Sequence, residues 1–157
     1  MTKNEHNIEI IEYSDEHSEP IKKLNYEWLE KYFRVEDSDN VSLSNPRKYI
    51  IEKGGFIYYL KLNGEIVGTV ALLRKSETIY EVGKMAVSPK VQGRGIGTLL
   101  LEHCLNVAKQ KQIVTLILYS NTILQSAIHL YRKYGFEEIE LESGCYERAN
   151  IKMEKRL

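Results

Sequence analysis

Apolar and polar residues change their spacing along the chain, and each change predicts a different element. Ile8 to Ile11 reads as a short strand, and Ser18 to Tyr32 carries Leu24, Trp28 and Tyr32 at the four-residue spacing of one helix face. The polar stretch "RVEDSDNVSLSNP" then reads as a connection, and "RKYIIEK" suggests a short helix ended by Gly54 and Gly55. From Phe56 the pattern turns to strands: "FIYYLKL", the dipeptide "NG" at Asn63 and Gly64, then "EIVGTVALLR", a strong short-range hairpin signal. "TIYEVGKMAV" predicts a third strand that stops at Ser88 and Pro89. A leucine-rich helix follows from about Gly95 to Lys111, then a buried strand "VTLILYS" and a helix from about Leu124 to Tyr134. Strands near Phe136 to Leu141 and Arg148 to Lys155 complete the series. Antiparallel strands first and a strand–helix–strand crossover later imply an α/β (α+β) fold. Its centre is a mixed, mostly antiparallel twisted sheet of about seven strands with helices on both faces.

At 157 residues, with no repeat, low-complexity tract or long linker, residues 1–157 read as a single domain. Twenty-two basic residues balance twenty-two acidic ones. The broad positive field that draws proteins to nucleic acid is therefore missing, and no nucleic-acid partner is expected. No stretch approaches the roughly 18 apolar residues of a membrane span, and the start lacks a secretory pattern, so a soluble, cytoplasmic protein without a membrane partner is expected. Cys104 and Cys145 are too few for a disulfide framework or a zinc pattern and read as reduced thiols. His103 and His129 stand alone without partners at metal-ligand spacing, so no metal is expected.

The segment "MAVSPKVQGRGIGTLLLEHC" joins the end of a central strand to a buried helix through Gly93, Gly95 and Gly97. Free N–H groups and the helix dipole make such a junction suited to an anion, and bare backbone lets phosphate oxygens approach. Glycines there serve equally well as a simple turn. A Walker loop is excluded because Thr98 and Leu99 follow Gly97. A dinucleotide fingerprint is excluded because Thr98 stands in place of its third glycine and the apolar strand around Leu116 in place of its acidic residue.

"VQGRGIG" resembles the Q/R-x-x-G-x-G/A pyrophosphate loop of the GNAT superfamily of N-acetyltransferases, with Gln92, Gly95 and Gly97 at the patterned positions. "YEVGKMAVSP" is similar to that family's fourth strand and "AIHLYRKYGF" to its later helix and glycine turn, so the likeness covers nearly the whole chain. The resemblance implies a GNAT fold that uses acetyl-CoA as co-substrate. Met85, Ala86 and Val87 match the strand end that pairs with the pantetheine arm. Gln92, Gly93, Arg94, Gly95, Ile96, Gly97 and Thr98 match the segment around the pyrophosphate. Leu124 stands where many members carry a cofactor-contacting Asn. Asn121 offers a substitute one helical turn earlier, but a cap for the next helix is the favoured reading of its side chain.

Transfer to an amine needs a proton acceptor and a proton donor. Glu81, four residues before Met85, matches the position where several members have their general base; a plain carboxylate on a half-exposed strand is the competing reading. Strand alternation puts Glu81, Gly83, Met85 and Val87 on one face, with a long reach that favours relay through water. Tyr131 occupies the tyrosine of the family's "AxxLY" pattern, commonly the general acid, and Tyr134 reads as packing. The resemblance assigns the acceptor to the neighbourhood of Trp28, Tyr32, Phe33, Tyr146 and Arg148, while Glu36, Asp37 and Asp39 either attract a cationic amine or, the favoured reading, form a solvated acidic loop. The expected reaction is acetyl transfer to a primary amine of a small molecule, amino acid or peptide, with room for a homodimer. The competing class is a module that binds acyl-CoA without catalysis. Glu81 and Tyr131 favour the enzyme.

Overall fold

The computed structural model describes residues 7–144 and 146–157, so Cys145 lies outside the described residues. Strand β1 (Ile8–Glu12) leads into helix α1 (Glu19–Tyr32) and a second helix, α2 (Asp37–Ser44). A hairpin follows, β2 (Phe56–Leu62) and β3 (Glu65–Arg74), then β4 (Ile79–Val87). The remaining elements are α3 (Ile96–Gln110), β5 (Thr115–Ser120), α4 (Gln125–Lys133), β6 (Glu137–Ile139) and β7 (Ile151–Arg156). The strands form one seven-stranded sheet in the order β1-β2-β3-β4-β5-β7-β6. Among the described residues, only β4 and β5 pair in parallel.

The hairpin forms where "NG" directs it. Asn63 at φ 53° and Gly64 at φ 86° both take the left-handed conformation that a tight two-residue loop between twisted strands demands. On one face of the sheet, α3 lays Leu100, Leu101, Cys104 and Ala108, all fully buried, over Val70, Leu72, Leu116 and Leu118. Each leucine removed from water there contributes about 1.5–3 kcal/mol. Gly68 on β3 allows the close approach: a Cβ there would stand 3.0 Å from Ile96 Cγ2 and 3.1 Å from Leu100 Cδ1. On the other face Ile21 of α1 and Leu43 of α2 pack with Ile57, Tyr59 and Ala71.

Three sequence expectations are corrected. The stretch 34–46 is not simply a connection, because it contains α2. That helix has few apolar residues and is held by its ends: the Glu36 side chain accepts from the backbone three residues on, and the Asp39 carboxylate accepts from Glu36 N–H at 3.0 Å. The last strand starts at Ile151, which leaves Arg148 in the β6–β7 loop.

The third correction concerns β4. Thr69 of β3 faces Ala86 and Ala71 faces Gly83, so one β3 residue, Val70, opposes the two residues Lys84 and Met85. This β-bulge reverses the alternation. Glu81, Gly83 and Ala86 lie opposite Leu73, Ala71 and Thr69 on the α1 face. Met85 and Val87 pack instead with the α3-side core, so Glu81 does not share a face with them.

Candidate active site

Beyond Glu81 and Ile117, β4 and β5 part. Their parallel pairing covers only Ile79 with Thr115, Tyr80 with Leu116 and Glu81 with Ile117, while β4 runs on to Val87 and β5 to Ser120. A cleft of about 380 Å³ opens in the wedge. Met85, Ala86, Val87, Gln92, Asn121 and Tyr131 line it, and so does Glu81.

The bulge beside the cleft is built from strained backbone held by side chains. Lys84 sits at φ 54°, a conformation that costs a non-glycine residue roughly 1 kcal/mol. Buried Asn25 of α1 donates from Nδ2 to Lys84 O at 3.1 Å and to Ile21 O at 2.8 Å. The Lys84 ammonium lies 3.2 Å from Asp39 Oδ1, with both side chains buried. Burial holds the Lys84 pKa below its ordinary value, opposed by Asp39. Asp39 is itself completely buried. Burial pushes its carboxyl up, but hydrogen bonds from Arg148 and from Glu36 N–H, together with the Lys84 charge, outweigh this and hold it below the ordinary range.

Arg148 draws the β6–β7 loop into the same network. Its guanidinium donates to Asp39 at 2.8 and 3.0 Å and to Glu36 at 2.7 Å, while its carbonyl accepts from Asn121 Nδ2 at 2.8 Å. Arg34 pairs with Glu147 across the same junction. The loop thus forms a roof tied to the α1–α2 connection. Glu36 and Asp39 are structural partners of this roof, which corrects the reading of a solvated acidic loop; Asp37 is exposed.

Glu81 is buried, contrary to the half-exposed expectation. Tyr146 donates its hydroxyl to Glu81 Oε2 at 3.1 Å. Lys75 Nζ lies 3.1 Å from Oε1 but outside hydrogen-bonding geometry, so Oε1 has no hydrogen-bond partner among the described residues. Bare Gly83 makes room for this carboxylate, since a Cβ there would stand 3.1 Å from Oε2. Tyr131 lies on α4, its ring edge-on to Phe136 at 6.0 Å. Burial, with a smaller contribution from Cys104, pushes its phenol up to about 12, so it keeps its proton at neutral pH.

The glycine loop lies at the start of α3. Gly93 and Gly95 have φ of 83° and 77°, and a Cβ on either of them or on Gly97 would meet nothing within 4 Å. Their bareness therefore serves no packing among the described residues. It leaves an open cradle beside the N–H groups of Ile96, Gly97 and Thr98, which lack helical partners at a first turn. This fits a phosphate-bearing ligand. Arg94 is exposed beside the cradle, whereas the Ile96 side chain turns into the core and offers only backbone. Asn121 lines the cleft with both ends of its amide engaged, by Arg148 O and by Ile123 N–H at 3.0 Å. It caps no helix, because Leu124 holds that position for α4.

Of the five residues assigned to the acceptor, Trp28, Phe33, Tyr146 and Arg148 line the cleft and Tyr32 is exposed outside it. Sequence reasoning missed Asn25, Lys75 and Lys84. Tyr134 packs and donates to Glu102, as a packing residue should. His103 is partly buried edge-on to Tyr58, and Cys104 is a fully buried thiol. Among the described residues no cluster of His, Cys, Asp and Glu is suited to a metal, and no helix is long and apolar enough to cross a membrane.

Comparison with known proteins agrees with this geometry. A family model described as an acetyltransferase (GNAT) domain matches residues 53–138. An uncharacterised N-acetyltransferase of Methanocaldococcus jannaschii is 31% identical over 113 residues, which cover 68% of this chain and 47% of that protein. The chain spans about half the length of the curated relatives it matches. Among solved structures, an acetyltransferase of the GNAT family from Staphylococcus aureus Mu50 superimposes with a TM-score of 0.85 at 24% identity, over 96% of this chain and 99% of the other. The PaiA N-acetyltransferase of Thermoplasma acidophilum, solved in complex with coenzyme A, gives 0.76 at 19% identity, over 96% and 99%. With more than half of its length matched by the family model and the same seven-stranded fold, the chain belongs to the GNAT acetyltransferase family.

Proposed function

We propose that the protein transfers the acetyl group of acetyl-CoA to a primary amine by direct attack, in a cytoplasmic setting. One observation carries the reading: a buried carboxylate and a protonated phenol, Glu81 and Tyr131, line one cleft between parted strands that leads to a glycine cradle at a helix start. A pure binding module needs the cradle and the parted strands but neither of those two groups.

In this reading the pantetheine arm lies along Met85, Ala86 and Val87 as an added strand, and the pyrophosphate rests on Gln92 to Thr98. The Thermoplasma acidophilum neighbour, with its bound coenzyme A, supports this use of the fold. Val87 N–H is the donor for the thioester carbonyl oxygen as charge develops. An alkylammonium with a pKa near 10.4 is only roughly 0.04% neutral at pH 7, so it must lose a proton before attack. Glu81, oriented by Tyr146 and on the other face of β4 from Met85 and Val87, takes that proton through water. The nitrogen then bonds the carbonyl carbon, the C–S bond breaks, and Tyr131 delivers its proton to the thiolate.

The test is release of free CoA thiol from acetyl-CoA across a panel of primary amines, matched to acetylated amine by mass. Thiol and acetylated amine should rise together. Binding of acetyl-CoA with no amine turned over would instead support the binding module.

A further inference from the structure

The acceptor end of the cleft is rich in charge yet electrically spent. Glu36, Asp39 and Glu81 stand against Lys75, Lys84 and Arg148. Asp39 holds Lys84 and Arg148, Glu36 holds Arg148, and Glu81 has Lys75 beside it and the Tyr146 hydroxyl on it. The pairs around Asp39 are buried, so their charges are not available to a newcomer without breaking the network. A second positive charge on an acceptor would lose its water and find the carboxylates already engaged, Glu142 included, which accepts from the Tyr119 hydroxyl at 2.8 Å and is paired with Lys152.

The walls are aromatic. Trp28 and Phe33 of the α1 end face the cleft, their ring centroids 5.6 Å apart. Across it Tyr119 and Tyr146 meet edge to face at 5.4 Å. Such rings recognise an apolar or aromatic substituent by area and shape; Arg148 and Lys152 already stand over the Tyr146 and Tyr119 rings, which leaves Trp28 and Phe33 to tolerate the single ammonium on its way to Glu81.

Building on the acetyltransferase reading, we propose that the acceptor is a primary monoamine with an aromatic or bulky apolar substituent beside the reacting nitrogen, seated between Trp28–Phe33 and Tyr119–Tyr146. Polyamines and lysine-like diamines are disfavoured. A free amine and a peptide amino terminus with a large apolar first residue share this chemistry.

Trp28 is the only tryptophan in the chain and lines the cleft, so its emission reports on the slot without any turnover. The experiment titrates phenethylamine, the peptide Phe-Gly-Gly amide and spermidine into the protein, with and without saturating coenzyme A. The better of the two apolar amines should bind with a Kd at least about tenfold below that of spermidine, a discrimination typical of a hydrophobic pocket. Phe33→Ala should erase most of that preference while the melting temperature holds, and Phe33→Leu should keep part of it. Tighter binding of the peptide than of phenethylamine assigns a peptide terminus, and the reverse assigns a free amine. Spermidine binding as tightly as both, or no saturable change with either apolar amine, overturns the proposal. Preferential binding without acetyl transfer would defeat the acetyltransferase reading and leave the slot's preference standing.

Discussion

Arg148 and Asp39 form a two-pronged ion pair, Nη1 at 2.8 Å from Oδ2 and Nη2 at 3.0 Å from Oδ1, with Asp39 completely buried. The contact joins three elements that are far apart in sequence: α2, the roof loop before β7 and, through Lys84, the bulge of β4. A carboxylate in this position fixes the shape of the cleft more than it attracts a substrate. Removing it leaves two buried or partly buried cations without their shared partner.

Asp39→Asn should therefore lower stability by about 3 kcal/mol, the low end for breaking a buried pair. The cost should depend on pH with a definite sign. The Asp39 pKa lies below its unfolded value of about 3.9, so its stabilisation is fully present above that value and is lost as pH falls through the lower, folded value. The wild-type advantage measured by urea unfolding should stay level from pH 7 to 5 and shrink below about pH 4. An advantage that grows in acid would show that Asp39 is held protonated in the folded protein.

The glycine cradle yields a second expectation. Acetyl-CoA should raise the melting temperature by binding only the folded state, and Gly95→Asp should remove the shift. A Cβ there meets no atom of the described residues within 4 Å, but the substitution forces a side chain into φ 77° and puts a negative charge at the helix start. A folded variant that binds acetyl-CoA as tightly as wild type would move the pyrophosphate site elsewhere.

A third test addresses Glu81. Glu81→Gln should keep the fold and the acetyl-CoA melting shift while lowering turnover most at neutral pH. As pH rises from 6.5 to 9.5, solution supplies more neutral amine and the deficit should narrow. A small deficit of constant size across that range would make Glu81 a structural carboxylate.

Much of the frame was legible because local signals coincide with tertiary demands. Asn63-Gly64 takes the two left-handed conformations its hairpin needs, and the leucines of α3 form one wide buried face. The parted strands, the cradle and Tyr131 followed from motifs that stand in the expected order. The bulge did not, because its left-handed residue is Lys84 and not the neighbouring Gly83; only long-range partners, Asn25 and Asp39, hold it there. Helix α2 was missed for a related reason. Its apolar signal is slight, and its stability comes from a reciprocal cap between Glu36 and Asp39 and from Arg148, 109 positions beyond Asp39. The spacing of Glu36 and Asp39, three residues apart at a helix start, was the available sign.

Acetyl transfer itself is tested most directly by incubating acetyl-CoA carrying an isotopic label in its acetyl group with a reactive primary amine and following label on the amine and free CoA thiol together. Wild-type protein should place one labelled acetyl on each product amine with an equal amount of thiol. Tyr131→Phe, which keeps the ring against Phe136 but removes the proton donor, should cut that rate by about 10²-fold with acetyl-CoA affinity nearly unchanged. Bound acetyl-CoA with no label reaching any amine, or an undiminished rate in Tyr131→Phe when chemistry limits turnover, would contradict the account.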